Sequence, residues 1–222
     1  GPGCFLNFAP VSAEESWVSG FAEGLGRQLK KFDCPLLGGD SVRHPTAAVF
    51  SLTVIGLVEK GAMVKRSGAE AGDDIYVSGN IGAGGLGLID CQNKEQTTWA
   101  RHYLRPEPLI EFGQAMAPFM TASADISDGF LADLNQICIA SECCAEICLQ
   151  NVPLADENGD RLFQLTCGDD YQLVFTAKPC NQAEIETLAQ QLNHQVTRVG
   201  KVKKGAKGLY DETGKPIKVS QK

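Results

Sequence analysis

The chain has 222 residues, of which 43% are hydrophobic and 21% are charged, a balance that excludes an intrinsically disordered chain and favours a globular protein with a sizeable core. Its formal net charge of -7 disfavours a nucleic-acid partner, because nucleic-acid-binding surfaces normally carry a basic excess. The sequence shows neither an apolar run of the roughly 18 residues that a membrane span requires nor a secretory signal, so we expect a cytoplasmic protein without a membrane partner.

The N-terminal part of the chain carries the signals of one helix and one long strand. Apolar residues recur at helical spacing over residues 14–32, which predicts a helix that packs one face on a sheet. Residues 35–37 form a short apolar segment that runs into a Gly-Gly-Asp sequence at residues 38–40. Residues 47–58 are rich in Val, Ile, Leu and Thr and contain no Pro, which predicts a long, largely buried strand.

A turn at residues 59–61 predicts a boundary between an N-terminal domain, residues 1–60, and a C-terminal domain, residues 61–222. In the second part, predicted strands occupy residues 74–78, 173–175 and 195–202, and predicted helices begin near residue 86 and cover residues 109–119, 130–138 and 183–192. The tail from Lys203 is rich in Gly and Lys, which predicts an exposed hairpin or loop. Because strands and helices mix throughout, we expect an α/β fold, in the form of an α+β sandwich.

Three acidic clusters lie at breaks between the predicted elements, at residues 38–41, 125–129 and 168–171. Carboxylates on glycine-flanked loops suit Mg²⁺, which takes oxygen ligands from one or two carboxylates and completes its shell with water and substrate phosphate. Glycine also lets backbone N–H groups approach phosphate oxygens. Taken one at a time, each cluster is better explained by ordinary turn chemistry, and Asp128 could simply cap the helix that follows it.

Other features of the sequence favour structural roles. The glycine-rich residues 79–87 contain no G-x-x-x-x-G-K-[ST] motif, so we interpret them as a tight turn with close helix packing. Asp73 and Asp74 are interpreted as a turn before a strand, and His102 as a surface residue. The nine cysteines form no C-x-x-C pair, which favours reduced, mostly buried thiols over a metal site.

Six short blocks in a fixed order carry a more specific signal. They are LLGGDS at residues 36–41, KRSGA at 65–69, GDDIYVSG at 72–79, RPEP at 105–108, DISDG at 125–129 and GDDYQL at 168–173. Together they resemble the thiamine-monophosphate kinase family over almost the whole chain. DISDG and GDDY are the most specific blocks, whereas the Gly-Gly-Asp block is shared by the wider superfamily of aminoimidazole-ribonucleotide synthetase.

The resemblance implies a two-domain aminoimidazole-ribonucleotide-synthetase-like fold in which residues 1–60 are the remnant of an incomplete N-terminal, ATP-binding and dimerising domain. It implies transfer of the γ-phosphoryl group of ATP to thiamine monophosphate, which gives thiamine diphosphate and ADP, with two or more Mg²⁺ ions. The implied partners are ATP, thiamine monophosphate and a second copy of the chain in a homodimer.

Residue roles carry over where the motifs match, and no covalent nucleophile is expected. The positions concerned are Asp40, Asp125 and Asp128 for Mg²⁺, Asp40, Arg66 and Ser127 for the nucleotide, and Asp169 for the thiamine moiety. Asp169 stands where the family usually has Glu.

The chain also departs from the family. The family has a longer N-terminal segment with further metal-binding aspartates and an aromatic C-terminal end that helps to hold thiamine. The chain as given is therefore expected to be poorly active or inactive. Two alternatives stay open: another ATP-dependent synthetase of the same superfamily, and a non-catalytic interaction module. The GDDY block argues against the first, and the three acidic motifs together argue against the second.

Overall fold

The computed structural model describes residues 2–10, 14–44 and 46–219. The chain divides into two compact units, Gly1–Gly61 and Ala62–Lys222. Within the described residues, no helix combines the length and the apolar character that crossing a membrane requires.

The first unit is a small sheet with one helix. Strand β1 (Gly3–Ala9) lies between β2 (Leu36–Ser41), to which it is parallel, and β3 (Val49–Ile55), to which it is antiparallel. Helix α1 (Glu15–Lys31) joins β1 to β2. The helix packs on the sheet through aromatic rings, since the ring centroid of Phe21 lies 5.8 Å from that of Phe8 and 5.0 Å from that of Phe50. The prediction that this helix packs on a sheet is confirmed.

The prediction of a largely buried strand at residues 47–58 is wrong. Strand β3 is shorter, and all seven of its residues are exposed. Even Phe50, which contacts α1, is 44% exposed. The reason is that β3 is an edge strand of the described three-stranded sheet, so few side chains are available to cover its apolar residues.

The second unit contains a seven-stranded sheet. Its strands are β4 (Asp74–Ser78), β5 (Met120–Asp125), β6 (Cys144–Ile147), β7 (Leu173–Ala177), β8 (Val196–Lys203), β9 (Gly208–Asp211) and β10 (Pro216–Ile217). They lie in the order β10-β9-β6-β8-β4-β7-β5, and neighbours are antiparallel except for the parallel pair β6 and β9.

Among the described residues of this unit, six α-helices connect these strands and cover the sheet. They are α2 (Ala83–Gln92), α3 (Thr98–Leu104), α4 (Ile110–Met116), α5 (Phe130–Ala140), α6 (Arg161–Thr166) and α7 (Gln182–Gln191). Along β4, Ile75 and Val77 join one apolar cluster, whereas Tyr76 joins another, as the alternation of side chains along a strand requires. Residues of α5 fill the first cluster, and residues of α4 and α7 fill the second. The sheet therefore has helices on both faces, and the expected α/β sandwich is confirmed.

Two interpretations of the sequence need correction here. Asp74 is more than a turn residue, because its side chain is fully buried and forms ion pairs with Arg198 at 3.2 Å and Lys201 at 3.5 Å. The antiparallel pairing of β4 with β8 sets Lys201 opposite Asp74. The tail does form a hairpin of β9 and β10, but it is only partly exposed, because β9 also pairs with β6 and buries Leu209.

Candidate functional site

Two acidic loops of the second unit are joined to each other by backbone hydrogen bonds. We call residues 125–129 the first acidic loop and residues 168–171 the second acidic loop. The N–H of Asp169 donates to the carbonyl of Ser127 at 3.0 Å, and the N–H of Tyr171 donates to the carbonyl of Ile126 at 2.9 Å. These bonds continue the pairing of β5 with β7 past the ends of both strands. Gly168 is required at this contact, since a Cβ there would lie 2.1 Å from the Ser127 carbonyl oxygen.

The glycine-rich segment packs against the second acidic loop. A Cβ on Gly84 would lie 2.5 Å from the backbone of Asp169, so the interpretation as close helix packing is confirmed. The buried carboxylate of Asp170 accepts hydrogen bonds from the N–H of Gly82 at 2.8 Å and of Gly84 at 2.9 Å. Burial raises the pKa of Asp170 to about 6, although these two bonds act in the opposite direction. The N–H groups of Gly82 and Gly84 are therefore occupied by the protein's own carboxylate.

A second buried aspartate organises the first acidic loop. One carboxylate oxygen of Asp133, on α5, accepts N–H bonds from Ser127 at 3.0 Å, Asp128 at 3.0 Å and Gly129 at 3.2 Å. Burial raises the pKa of Asp133, against the lowering effect of these bonds. The N-cap of α5 is Gly129, so Asp128 does not occupy the N-cap position that the sequence suggests for it. The loop N–H groups are instead satisfied from within the first turn of the helix.

The second acidic loop holds two residues in an unfavourable backbone conformation. Asp169 has a φ of 64° and Tyr171 a φ of 51°, a region that non-glycine residues enter at a cost and that is enriched at functional sites. The Tyr171 hydroxyl donates to the Asp169 carboxylate at 3.0 Å, and this bond is the main reason that the pKa of Tyr171 is raised. Tyr171 is 38% exposed. A carboxylate and an aromatic ring therefore lie side by side at the surface.

The interpretation of His102 as a surface residue needs correction, because its ring contacts the second acidic loop. It lies on α3, is only partly exposed, and its Nε2 lies 3.2 Å from the backbone carbonyl oxygen of Asp170. The sequence offers no signal for this contact, because 68 positions separate the two residues.

Arg66 belongs to a segment that runs beside β5, the strand that ends at Asp125. The N–H of Ser123 donates to the carbonyl of Lys65 at 3.0 Å, and the Ser141 hydroxyl donates to the carbonyl of Arg66 at 3.0 Å. The Arg66 side chain is exposed. These hydrogen bonds thus hold the backbone of Arg66, and with it the base of its long cationic side chain, next to β5, the strand that leads into the first acidic loop.

Asp40 lies in the first unit and within β2, rather than at a break between elements as the sequence predicted. It is exposed, and its carboxylate accepts a hydrogen bond from the N–H of Ser41 at 2.8 Å. Gly39 before it has a φ of 152°, and a Cβ there would lie 1.7 Å from the carbonyl oxygen of Leu6 on β1. The Gly-Gly-Asp motif therefore owes its second glycine to the close approach of two strands.

The carboxylate oxygens of the first acidic loop suit Mg²⁺ only in combination with further ligands. Among the residues that the structure describes, no group of three or more His, Cys, Asp and Glu side chains is arranged to hold a metal ion. Asp125 and Asp128 are both exposed on this one loop. Mg²⁺ commonly takes one or two carboxylates and fills its shell with water and substrate phosphates. The loop therefore fits a Mg²⁺ ion that is shared with a phosphorylated ligand.

The fold is that of a known class of proteins. Residues 70–211 match the family model of the AIR synthase related protein C-terminal domain, and residues 2–58 match that of the AIR synthase related protein N-terminal domain. The structure superposes on thiamine-monophosphate kinase from Stenotrophomonas maltophilia K279a with a TM-score of 0.85, 29% identity and coverage of 97% of this chain and 73% of that one.

More specific relatives define the family within this class. Thiamine-monophosphate kinase of Salmonella typhimurium is 33% identical over 219 residues, which cover 92% of this chain and 67% of the relative. The protein AaThiL, solved in complex with AMPPCP and TMP, superposes with a TM-score of 0.81 and 25% identity, over 97% of this chain and 71% of that one. The chain belongs to the thiamine-monophosphate kinase family, and it spans about two thirds of the length of the curated relative.

These comparisons confirm the resemblance inferred from the six blocks, the two-domain fold class and the expected class of enzyme, a kinase. They favour a kinase over both alternatives, the sister synthetase and the non-catalytic module.

Proposed function

We propose that this protein transfers the γ-phosphoryl group of ATP to thiamine monophosphate and so forms thiamine diphosphate and ADP, with Mg²⁺. The observation that carries the proposal is that backbone hydrogen bonds join the two acidic loops directly. They bring the loop with the exposed carboxylates of Asp125 and Asp128, which suit a metal–phosphate ligand, next to the loop with the Tyr171 ring and the Asp169 carboxylate. AaThiL, with both AMPPCP and TMP bound, supports ATP and thiamine monophosphate as the two substrates.

The first acidic loop is assigned to the phosphate end of the reaction. Asp125 and Asp128 would hold Mg²⁺, and the Ser127 hydroxyl would donate to a nucleotide phosphate oxygen. Arg66 would add a charge-assisted contact to phosphate, which a guanidinium can make with two parallel bonds. Bound Mg²⁺ would neutralise phosphate charge and so reduce the repulsion between ATP and the acceptor phosphate.

The second acidic loop is assigned to the thiamine moiety. Thiamine carries a cationic, aromatic ring system, which a carboxylate and an exposed aromatic side chain complement. Asp169 would supply the carboxylate. Asp169 is one methylene shorter than the Glu that is usual in the family, and the hydrogen bond from the Tyr171 hydroxyl orients its carboxylate.

The residues act by position and charge rather than by covalent chemistry. Phosphoryl transfer has a transition state with charge spread over the phosphate oxygens, and in-line placement of donor and acceptor provides most of the catalysis. An acidic chain can accommodate two phosphorylated substrates because its carboxylates bind metal rather than phosphate directly. Asp40 of the first unit would be a further Mg²⁺ ligand on the nucleotide side, and the reaction would use two or more ions. We further propose that residues 1–60 act as part of an ATP-binding and dimerising domain, and that the active protein is a homodimer.

The test is the formation of thiamine diphosphate from thiamine monophosphate, ATP and Mg²⁺, followed by chromatography of the products. The 222-residue chain alone is expected to turn over poorly or not at all, and a form extended at both ends to the length of the relatives is expected to be active. In the active form, Asp125→Asn should lower turnover sharply while the fold is retained. The matched control is Glu142→Gln, which removes one carboxylate from a surface side chain that is 78% exposed and should leave turnover unchanged.

The outcomes separate the candidate functions. Equal turnover by Asp125→Asn and wild type would contradict the metal role. An extended, folded protein that makes no thiamine diphosphate would favour the sister synthetase, and trials with other phosphate acceptors would then follow.

A further inference from the structure

Asp133 is the most heavily bonded carboxylate of the candidate site, although the roles proposed above do not use it. It is 2% exposed, and a single oxygen, Oδ2, accepts three successive backbone N–H bonds at 3.0–3.2 Å. The three donors are Ser127, Asp128 and Gly129. They make up the part of the first acidic loop that follows Ile126, so one side chain sets the conformation of that part of the loop.

This arrangement changes which groups of the loop can contact a ligand. Three adjacent N–H groups at the start of a helix form an anion-binding arrangement that often receives phosphate. Here the anion is Asp133 itself, and the three donors point inward to a buried oxygen. A phosphorylated ligand at this loop must therefore be bound through side chains, directly by the Ser127 hydroxyl and, through a metal ion, by the carboxylates of Asp125 and Asp128.

The same pattern occurs at the glycine-rich segment, where the Asp170 carboxylate accepts the N–H groups of Gly82 and Gly84. At both places a buried aspartate takes the position that phosphate would occupy in a phosphate-binding loop. The repetition indicates that the glycines permit close packing, and that the rigid loops then present side chains outward.

We infer that Asp133 is a positioning residue for the phosphate end of the site: it fixes residues 127–129 from behind and so aims Ser127 and Asp128 at a metal–nucleotide ligand. The inference rests on the proposed function of the first acidic loop. Residues that orient the ligands of a metal typically change metal affinity or activity by about 10- to 100-fold when they are replaced.

Two variants of Asp133 separate positioning from simple stability. Asp133→Ala removes the acceptor and leaves three N–H groups without their bonds. Asp133→Asn retains one oxygen of similar reach and can preserve the bonds without the charge. The matched control is Asp90→Ala, which removes another buried aspartate from the same unit, one that accepts a hydrogen bond from the Thr97 hydroxyl instead of from the loop.

The first measurement is the binding of Mn²⁺ with AMPPCP by titration calorimetry, with wild type and variants all in the form extended at both ends. Asp133→Ala should weaken binding by about 10- to 100-fold, Asp133→Asn should recover most of that loss, and Asp90→Ala should bind like wild type although it is less stable. The second measurement is amide hydrogen exchange without ligand. In wild type, the amides of Ser127, Asp128 and Gly129 should exchange slowly, and in Asp133→Ala they should exchange rapidly.

Several results would overturn the inference. One is unchanged Mn²⁺–AMPPCP affinity in a folded Asp133→Ala protein. Another is an equal loss of Mn²⁺–AMPPCP affinity in Asp90→Ala, which would show that the weaker binding results from lower stability. If Asp133→Ala does not fold, rapid exchange of the three amides in wild type would have the same meaning, because it would show that the bonds to Asp133 are not maintained. If wild type binds no Mn²⁺–AMPPCP while its three amides are protected, the proposed function of the loop fails, and the ligand-positioning role fails with it.

Discussion

Asp170 allows a quantitative test of how the second acidic loop is held. Its side chain is 1% exposed, and burial raises its pKa from 3.8 to about 6. Because the pKa is higher in the folded state than in the unfolded state, the folded protein binds the proton more tightly. The stability that this proton contributes is fully present below pH about 4 and is lost as the pH rises through about 6. At about 1.4 kcal/mol per pH unit, the whole contribution is about 3 kcal/mol.

The perturbation is Asp170→Asn, which removes the titration and keeps the shape of the side chain. Urea unfolding of both proteins would be followed at pH 7 and pH 4.5 through the indole N–H signal of Trp99, which lies in the second unit. Between these two pH values, the unfolding free energy of wild type should rise by about 2 kcal/mol relative to that of the variant. As a control, Asp160→Asn exchanges one good N-cap residue for another at an exposed position and should change stability by less than about 0.5 kcal/mol at pH 7.

The result that would refute this reasoning is a pair of parallel pH profiles. If wild type and Asp170→Asn gained or lost the same free energy between pH 7 and pH 4.5, Asp170 would have the same pKa in the folded and unfolded states. Burial of its carboxylate against Gly82 and Gly84 would then not be the dominant electrostatic feature of this loop.

Two further predictions concern the same loop. Gly84→Ala should lower the unfolding free energy by about 1–3 kcal/mol in thermal melts, because the added methyl would overlap the backbone of Asp169. In the matched control Gly113→Ala, the added methyl meets only an ordinary contact at 3.6 Å, so this variant should be neutral or stabilising. Equal losses of stability in both variants would contradict the packing argument. Tyr171→Phe removes the hydrogen bond to Asp169 and should raise the KM for thiamine monophosphate in steady-state assays of the active form, while the KM for ATP stays the same. A parallel rise in both KM values would count against a specific role in thiamine binding.

Parts of the fold followed from the sequence because the signals were strong and local. The helical spacing over residues 14–32 and 130–138 predicted α1 and α5, and compact apolar runs predicted β4 and β7. Strands β5 and β6 were not predicted. Their residues are mostly small, such as Ala, Ser, Thr and Cys, so neither strand shows the clear alternation of large apolar and polar side chains that marks a half-buried strand.

The exposure of β3 shows the limit of composition as a guide to burial. A run of Val, Phe, Leu and Ile indicates a strand that is suited to a core. Whether it is covered depends on which elements pack against it, and this is a property of the assembled unit. In the described part of the first unit, aromatic contacts from α1 leave all seven residues of β3 exposed.

Some features of the candidate site likewise followed from the sequence, whereas others followed only from the tertiary structure. The sequence by itself determined the acidic motifs, their order and the family that they resemble, because these are properties of short blocks of residues. Only the tertiary structure showed that the two acidic loops are hydrogen-bonded to each other. Only the structure showed, too, that the buried carboxylates of Asp133 and Asp170 accept hydrogen bonds from backbone N–H groups of the first acidic loop and of the glycine-rich segment. An aspartate within a helix, or one that follows another aspartate, gives no local sign of its partners. The N–H groups that Asp170 binds lie 86 and 88 positions away, and burial with those partners depends on how the whole sheet and its helices pack.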